Sequence, residues 1–333
     1  ALSSAASDVY KRQIYSSFVN ILGGIITKAK GGNATDTNSG DGGAGIASDG
    51  ALTIHSGNIE TAQGGTSANG TGGSGIRSGS LLTISDNATI TNATGGSGRS
   101  GGHGLFGSVM KILSSTIGTA KGGEGKTSGG NGIYGVGKLT ISDNAAITNA
   151  TGGNAGNGNG GNGIYSDGKL TIENSTITNA TGGTSTNGTG GSGIRGDGSS
   201  DDFKLYIYSA TIENATGGSG KWGGSGILGK TMEILTSTIK KATGGRSTGK
   251  ESYHTGGAGI SSYGELTIQG GTTVQAVGGN ADSRSGSLSI SGGTISAAGG
   301  SGKSGGAGIA SSGTVSISDG KIEQAAGGSA TGT

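Results

Sequence analysis

Aromatic and basic side chains recur at one position of this sequence, directly after the isoleucine or leucine of a repeated Gly-x-Gly-Ile element. The residues at that position in five successive repeats are Arg77, Phe106, Tyr134, Tyr165 and Arg195. Aromatic faces pack against the apolar faces of sugar rings, and flanking polar groups hydrogen-bond to sugar hydroxyls. If the repeats stack, the sequence therefore predicts one ligand-binding strip for carbohydrate, with an arginine at each end.

Lysines occupy a neighbouring outward position of the same repeats. Lys138 and Lys169 complete the predicted ligand site, and Lys204 belongs to the same column. An alternative stays open, because aromatic neighbours along a stack stabilise one another by roughly 0.5–1 kcal/mol a pair without any ligand.

Residue types that support catalysis or metal binding are scattered. Asp-Gly pairs, which are typical of turns, begin at Asp49, Asp167, Asp197 and Asp319. The histidines fall at unrelated positions of the repeat: His55, His103 and His254. The one adjacent acidic pair, Asp201-Asp202, lies on an inserted loop, and the glycine tracts lack the aspartate of the calcium-binding nonapeptide. We expect no catalytic residue, no metal site and no cofactor.

A long repeat must position these residues. Eleven Leu-x-Ile anchors, from Ile21 to Ile317, recur about every 29 residues. A second isoleucine-centred element follows each anchor, and Gly-x-Gly-Ile comes after a variable Gly/Asn/Ser/Thr tract. Leu-Thr-Ile and Thr-Ile-Thr alternate with period two, which is typical of strands with one buried face.

These patterns predict an all-β fold, a single-stack parallel β-helix of about eleven coils with three short strands per coil. The general preference for right-handed crossovers favours a right-handed helix. Glycines are expected at corners that need positive φ. Between Ile268 and Ile290 the spacing is too short for a third strand, so we expect an incomplete coil there.

The repeat also resembles a known family. The run Gly-x-Gly-Ile-x-Ser-x-Gly-x-Leu-Thr-Ile-x-x-Gly-x-Ile-x-x-Ala at Gly43–Ala62 and its near copies are similar to glycine-rich repetitive β-helix proteins of bacterial surfaces, including the pectate-lyase-like carbohydrate-binding family. The resemblance covers nearly all of residues 19–333. It implies a parallel β-helix and is compatible with adhesins, binding modules and lyases alike.

Composition narrows the classes of function. The chain has 333 residues with 81 glycines, no proline and no cysteine, so disulfides cannot stabilise it. A formal charge of +2 argues against nucleic acid as a partner. No run of residues is long and apolar enough to span a membrane.

The two ends of the sequence look unlike designed protein termini. Asp8-Val9-Tyr10-Lys11-Arg12-Gln13 matches the translation of a sequencing-library adapter, so residues 1–13 are excluded from the fold. We expect a leader at 1–18 that is artefactual or disordered, and a solenoid at 19–333 truncated at both ends. Open end coils would allow end-to-end self-association.

The function expected from these observations is a non-catalytic, extracellular or cell-surface β-solenoid that binds a polysaccharide or surface glycan and resembles an adhesin. The alternatives are a purely structural stalk or filament, an ice-binding protein and a polysaccharide lyase. Charged residues after the second-element isoleucine, among them Glu60, Glu213 and Lys240, argue against a flat threonine array that binds ice.

Asn-x-Ser/Thr triplets occur nine times and would be glycan acceptors in a eukaryotic secreted protein. Four of them share one repeat position, where asparagines can instead stack as an amide ladder. The four are Asn92, Asn149, Asn179 and Asn214.

Overall fold

A computed structural model describes residues 13–35, 40–197, 204–249, 255–270 and 274–278, and the backbone of five further strands between Leu288 and Ala326. Among these residues every strand pairing is parallel and no helix occurs. Strands at the same repeat position pair from one coil to the next, so the chain is a parallel β-solenoid. The predicted fold class is confirmed.

Each complete coil contributes three strands to two long sheets. The first and third strands share a sheet that has 19 strands among the described residues, and the second strands form another with 12. The first strands are Val19–Leu22, Leu52–His55, Leu139–Ser142, Leu170–Glu173, Lys204–Tyr208, Thr231–Leu235, Leu266–Gln269, Leu288–Ser291 and Val315–Ser318. The third strands are Ile14–Ser16, Ile46–Ser48, Ile133–Gly135, Ile164–Ser166, Ile194–Gly196, Ile227–Gly229, Ile260–Ser262 and Ile309–Ser311. In two coils the third strand runs directly into the next first strand, as Ile76–Ser85 and Leu105–Leu113.

The second strands line the other side of the solenoid. They are Ile25–Ile26 with Ala29–Lys30, Asn58–Gln63, Thr89–Thr94, Thr116–Lys121, Ala146–Thr151, Thr176–Thr181, Thr211–Thr216, Thr238–Thr243, Val274–Val277, Thr294–Ala298 and Lys321–Ala326. A small pair, Gly98–Ser100 and Gly125–Ser128, joins two of the projecting loops.

Eight consecutive coils in the described part of the chain, from Val19 to Ser262, contain all three strands. The expected number was about eleven coils, one for each Leu-x-Ile anchor, with the coil between Ile268 and Ile290 incomplete. The coil that starts at Leu266 differs: Leu266 pairs with Leu288, whereas Ile260 pairs directly with Ile309. The third-strand column thus bypasses this coil, and the expected incomplete coil is confirmed.

The stack also begins earlier than the sequence analysis placed it. Ile14–Ser16 is a strand that pairs with Ile46–Ser48 of the next coil, although these residues were assigned to the leader. The sequence of this strand, Ile14-Tyr15-Ser16, is the same as that of the third strand Ile164–Ser166.

The hydrophobic core is a set of columns along the solenoid axis. In one coil the fully buried inward side chains are Leu139, Ile141, Ile147, Ala150 and Ile164. Each meets the same residue type on the next rung, as Ile141 meets Ile172. Alternate side chains of a strand face opposite sides, so Thr140 between two buried residues stays on the outer face.

The corner between first and second strands corrects the expectation for glycine. Among the described residues, left-handed backbone at this corner is carried mostly by Ser, Asp, Asn and Thr: Ser56, Asp86, Asn87, Ser114, Asp143, Asn144, Asn174, Ser209 and Thr236. Asparagine and aspartate tolerate this conformation because their short polar side chains hydrogen-bond locally. Among the described glycines, only Gly23, Gly24 and Gly270 have positive φ, so most of the described glycines have another role.

Most of the described glycines instead allow two backbone segments to lie close together. Gly-Gly pairs after each second strand face Gly-Gly pairs before each third strand, and we call these two columns the glycine layer. A Cβ added at Gly152 would lie 1.9 Å from the carbonyl oxygen of Gly161, and one at Gly161 would lie 1.8 Å from that of Gly130. The two segments are pressed together so tightly that no side chain fits.

Backbone hydrogen bonds run through the glycine layer without a break. Gly153 donates to Gly130, Gly161 donates to Gly153, and Gly183 donates to Gly161. The same alternation extends from Gly32 to Gly257. Each bond steps along the axis or across the layer, so the layer connects the coils independently of the two sheets.

Candidate functional site

The five residues of the predicted strip form one ladder on the outer face of the first sheet. The strand register places Arg77 beside Phe106, Phe106 beside Tyr134, Tyr134 beside Tyr165, and Tyr165 beside Arg195. We call these five residues the aromatic ladder. Its existence follows from the repeat, because each residue comes directly after the buried isoleucine or leucine of its third strand.

The rings of the ladder contact one another along the axis. Tyr134 and Tyr165 have centroids 5.1 Å apart and planes 3° apart, and Phe106 and Tyr134 are tilted by 58° at 5.6 Å. The guanidinium carbon of Arg77 lies 6.0 Å from the Phe106 centroid, and that of Arg195 lies 5.3 Å from the Tyr165 centroid. Parallel rings at this separation form an offset stack, so neighbouring rungs cover part of the faces expected to bind sugars.

One ladder contact was missed in the sequence. His103 lies 5.5 Å from Phe106 with planes 14° apart, and 4.9 Å from Tyr134. Its Nδ1 accepts a hydrogen bond of 2.9 Å from the backbone N–H of Asn131. Asn131 occupies the same repeat position one coil later and accepts a bond of 2.7 Å from the N–H of Asn162. The sequence does contain a signal for this contact, because His103 and Asn131 both occupy the x position of Gly-x-Gly-Ile or its leucine variant. In both coils this position carries a side chain that accepts a hydrogen bond from the next coil.

The turn aspartates also serve the ladder. Tyr165 donates to Asp167 at 2.8 Å, and Arg195 donates to both carboxylate oxygens of Asp197, at 2.5 and 2.9 Å. A residue and the one two places later face the same side of an extended chain. The spacing Tyr-x-Asp and Arg-x-Asp therefore carried this information, which was interpreted only as turn chemistry. The hydrogen-bonding edges of Tyr165 and Arg195 already have partners within the chain.

Burial and Asp167 control the protonation of the ladder. Burial and then the hydrogen bond to Asp167 raise the pKa of Tyr165, and burial and Asp167 raise that of Tyr134. Burial lowers the pKa of His103 from 6.5 to about 4. The two phenols and the imidazole are therefore neutral at pH 7, which suits their close packing.

The lysine column lies where the sequence placed it. Leu139, Leu170 and Leu205 are successive partners, so Lys138, Lys169 and Lys204, which precede them, occupy successive rungs. Lys138 and Lys169 are exposed. The Lys169 ammonium lies 4.3 Å from the centroid of Tyr206, on the next coil.

A second aromatic cluster surrounds Tyr206 and was not recognised in the sequence. Tyr206 and Tyr208 lie 5.3 Å apart with planes tilted by 58°. Tyr208 donates to Glu233 at 2.7 Å, and Lys204 lies 4.0 Å from the same carboxylate. Outward positions of one first strand and the next coil thus form a small network of charges and rings beside the lysine column.

The second sheet carries the expected amide ladder in part. Asn179 donates to Asn149 at 3.1 Å, and Asn214 donates to Asn179 at 3.2 Å. Asn92 instead donates to the carbonyl of Glu60, because Thr119 separates it from Asn149. On the same face Lys240 pairs with Glu213 at 2.6 Å, so charges interrupt the threonines there.

The remaining candidates show no clustering that would support chemistry. In the described part of the chain, no three His, Cys, Asp or Glu side chains lie close enough together to hold a metal ion. His55 pairs with Asp86 at 2.7 Å on the exposed corner. Asp201-Asp202 and His254 lie outside the described residues.

Comparisons with family models, curated proteins and solved structures produced no match to this chain. Within the described residues no helix has the length and apolar character that crossing a membrane requires. The chain is therefore characterised by its fold, a parallel β-solenoid, and by the side chains that the fold aligns.

Proposed function

We propose that this chain is a non-catalytic, adhesin-like β-solenoid of an extracellular surface, and that its stacked coils act as a rigid stalk. The observation that carries the proposal is the unbroken series of hydrogen bonds through the glycine layer, from Gly32 to Gly257. Together with two sheets it gives each complete coil between Val19 and Ser262 three separate backbone connections to its neighbours. A stalk needs continuity of this kind along its axis more than it needs a pocket.

Two further observations support the stalk. The rings of Tyr134 and Tyr165 stack on one another, and Tyr165 and Arg195 donate hydrogen bonds to turn aspartates, so these distinctive side chains contact their own chain. The sequence also resembles repetitive β-helix proteins of bacterial surfaces, whose glycine-rich coils include adhesins. The extracellular location belongs to the proposal.

Deletion of one repeat tests the stalk. Removing residues 138–168 joins Gly137 to Lys169 and restores the sequence Gly-Lys-Leu-Thr-Ile. A stalk should keep its melting temperature and shorten by one rung, about 4.8 Å, in small-angle scattering. Neither chain should be retained on a glycan array. If the full chain binds a glycan and the deletion abolishes binding, the coil holds a ligand site and the stalk proposal fails.

Polysaccharide binding is the second candidate. Arg77, Lys138 and Lys169 are exposed beside the half-buried rings of the ladder, so cationic groups border a row of ring edges. Four coil-to-coil steps span about 19 Å, comparable to three or four sugar residues, so affinity should be modest and rise with oligosaccharide length.

Calorimetric titration with oligosaccharides of increasing length tests this candidate. Arg77→Ala should weaken binding, whereas Lys240→Ala, which removes a cation on the other sheet, should not. Equal loss in both variants would indicate non-specific attraction to positive charge.

A further inference from the structure

Two tyrosines on successive coils share a geometry that none of the functions above uses. Tyr134 and Tyr165 are register partners, with ring centroids 5.1 Å apart and planes 3° apart. Strand pairing holds their backbones side by side, and the two rings lie nearly parallel. Both side chains are half-buried on the outer face, where rotation about their side-chain bonds can bring the ortho carbons together.

A proton acceptor is already in place. A tyrosine that loses an electron becomes a strong acid and must release its phenolic proton. Tyr165 donates that proton to Asp167 in a bond of 2.8 Å, so the carboxylate can take it as the electron leaves. The Asp167 charge also acts on Tyr134, which places the carboxylate near both phenols.

The ladder confines a radical to this pair. The register neighbours of the pair are Phe106 and Arg195, and His103 also contacts Tyr134; agents that oxidise phenols oxidise none of these three side chains. Tyr134 and Tyr165 therefore form an isolated pair of oxidisable rings. Along the ladder, an unpaired electron can move only between these two tyrosines.

We propose that Tyr134 and Tyr165 are a site of oxidative cross-linking, where a peroxidase-type oxidant joins the two rings as dityrosine. Each phenol gives up one electron and its phenolic proton, and the two phenoxyl radicals form one carbon–carbon bond between their ortho carbons. The two ortho hydrogens then move to the oxygens and restore the phenols. Hydrogen peroxide accepts the two electrons and two protons and becomes two molecules of water.

The cross-link would connect two coils covalently in a chain without cysteine. It closes a loop of one full coil, so it restricts the unfolded chain as a disulfide does. Among the described tyrosines, the other close pair is Tyr206 and Tyr208, which lies within a single strand with planes tilted by 58°, and a link there would connect no coils.

Peptide mapping after treatment with a haem peroxidase and hydrogen peroxide tests the proposal on the full chain at low concentration. Trypsin separates Tyr134 and Tyr165 into peptides 127–138 and 139–169. We expect dityrosine fluorescence, one main linked pair of these peptides lighter by two hydrogens, and a higher melting temperature. Tyr165→Phe should abolish the link while keeping the packed ring, and Tyr206→Phe should leave it unchanged.

Asp167→Asn tests the role of the proton acceptor and should lower the yield of the link several-fold. Urea should reduce the yield of this pair to that of any other tyrosine pair, since the register is then lost. The proposal is overturned if no dityrosine forms, if links spread over many tyrosines of the folded chain, or if the link survives in Tyr165→Phe.

Discussion

Each inward isoleucine of this solenoid touches its counterparts in the coils before and after it, while the outward residue beside it touches mainly solvent and its rung neighbours. Ile141 is fully buried, and Thr140 is a partly exposed outer residue beside Lys111 of the previous coil. The side chain of Thr140 is partly exposed, but its hydroxyl oxygen is covered from solvent and has no hydrogen-bond partner, so removal of the hydroxyl costs no bond. Adjacent residues should therefore respond very differently to the same substitution.

Ile141→Asp should lower the free energy of unfolding by about 4 kcal/mol or more, because it places an unpaired carboxylate in the core column. Thr140→Asp adds the same charge next to Lys111 and should change the free energy of unfolding by about 0.5 kcal/mol at most. Urea unfolding of the two variants measures both values. Equal shifts in midpoint would refute the assignment of inward and outward positions.

His103 should make stability depend on pH. Its pKa is about 4 in the folded chain and 6.5 in the unfolded chain, so between these values the unfolded state binds more protons. Its contribution is present above pH 6.5 and is lost as the pH falls toward 4. His103→Asn keeps an acceptor for the Asn131 N–H, as Asn131 does for Asn162, but does not titrate. Wild type should lose stability relative to this variant between pH 7 and pH 5, and parallel profiles would contradict the buried neutral imidazole.

At the scale of the elements, the glycine layer distinguishes two kinds of glycine. A Cβ at Gly161 would lie 1.8 Å from the carbonyl oxygen of Gly130, whereas the atom nearest to a Cβ at Gly137 would be the Ser108 carbonyl oxygen, at 3.1 Å. Gly161→Ala should cost about 3 kcal/mol or more, since two backbone segments must separate. Gly137→Ala, the control, should cost about 1 kcal/mol or less. Similar falls in melting temperature for both variants would show that these glycines are needed for their conformational freedom and not because a Cβ has no room.

The strand columns could be predicted from the sequence, and the packing of the glycine tracts could not. Period-two alternation and the repeat spacing identified the strands, their inward faces and the outward ladder. The glycine tracts contact one another through backbone atoms, and no pattern of side chains in the sequence indicates which tract lies against which. Their contact follows only once the path of the whole coil is known. The covering of the ring faces was also beyond the sequence, because it depends on side-chain rotation about a correctly placed backbone.

At the scale of the whole molecule, strand pairing in the described residues joins each coil mainly to the next one along the axis, so unfolding should not be two-state. The incomplete coil that starts at Leu266 has lost its connection through the third-strand column. We expect hydrogen exchange to be fast there and slowest between Ile141 and Ile177, where complete coils lie on both sides. Uniform protection from Val19 to Ile268 would contradict a stack of nearest-neighbour units.

The aromatic ladder is expected to stabilise the whole solenoid. Ala replacements at both Tyr134 and Tyr165 remove a stacked pair, the contact with Phe106 and the cation–π contact with Arg195, together worth about 2–3 kcal/mol. The control, Lys138→Ala with Lys169→Ala, removes the charged column and leaves the rings in place.

Thermal melting of the two double variants beside wild type, with glycan-array retention measured on the same samples, tests this claim most directly. We expect a clearly lower melting temperature for the tyrosine variant, an unchanged one for the lysine variant, and no glycan whose retention depends on the tyrosines. A tyrosine variant that melts like wild type yet loses a glycan that wild type retains would contradict it.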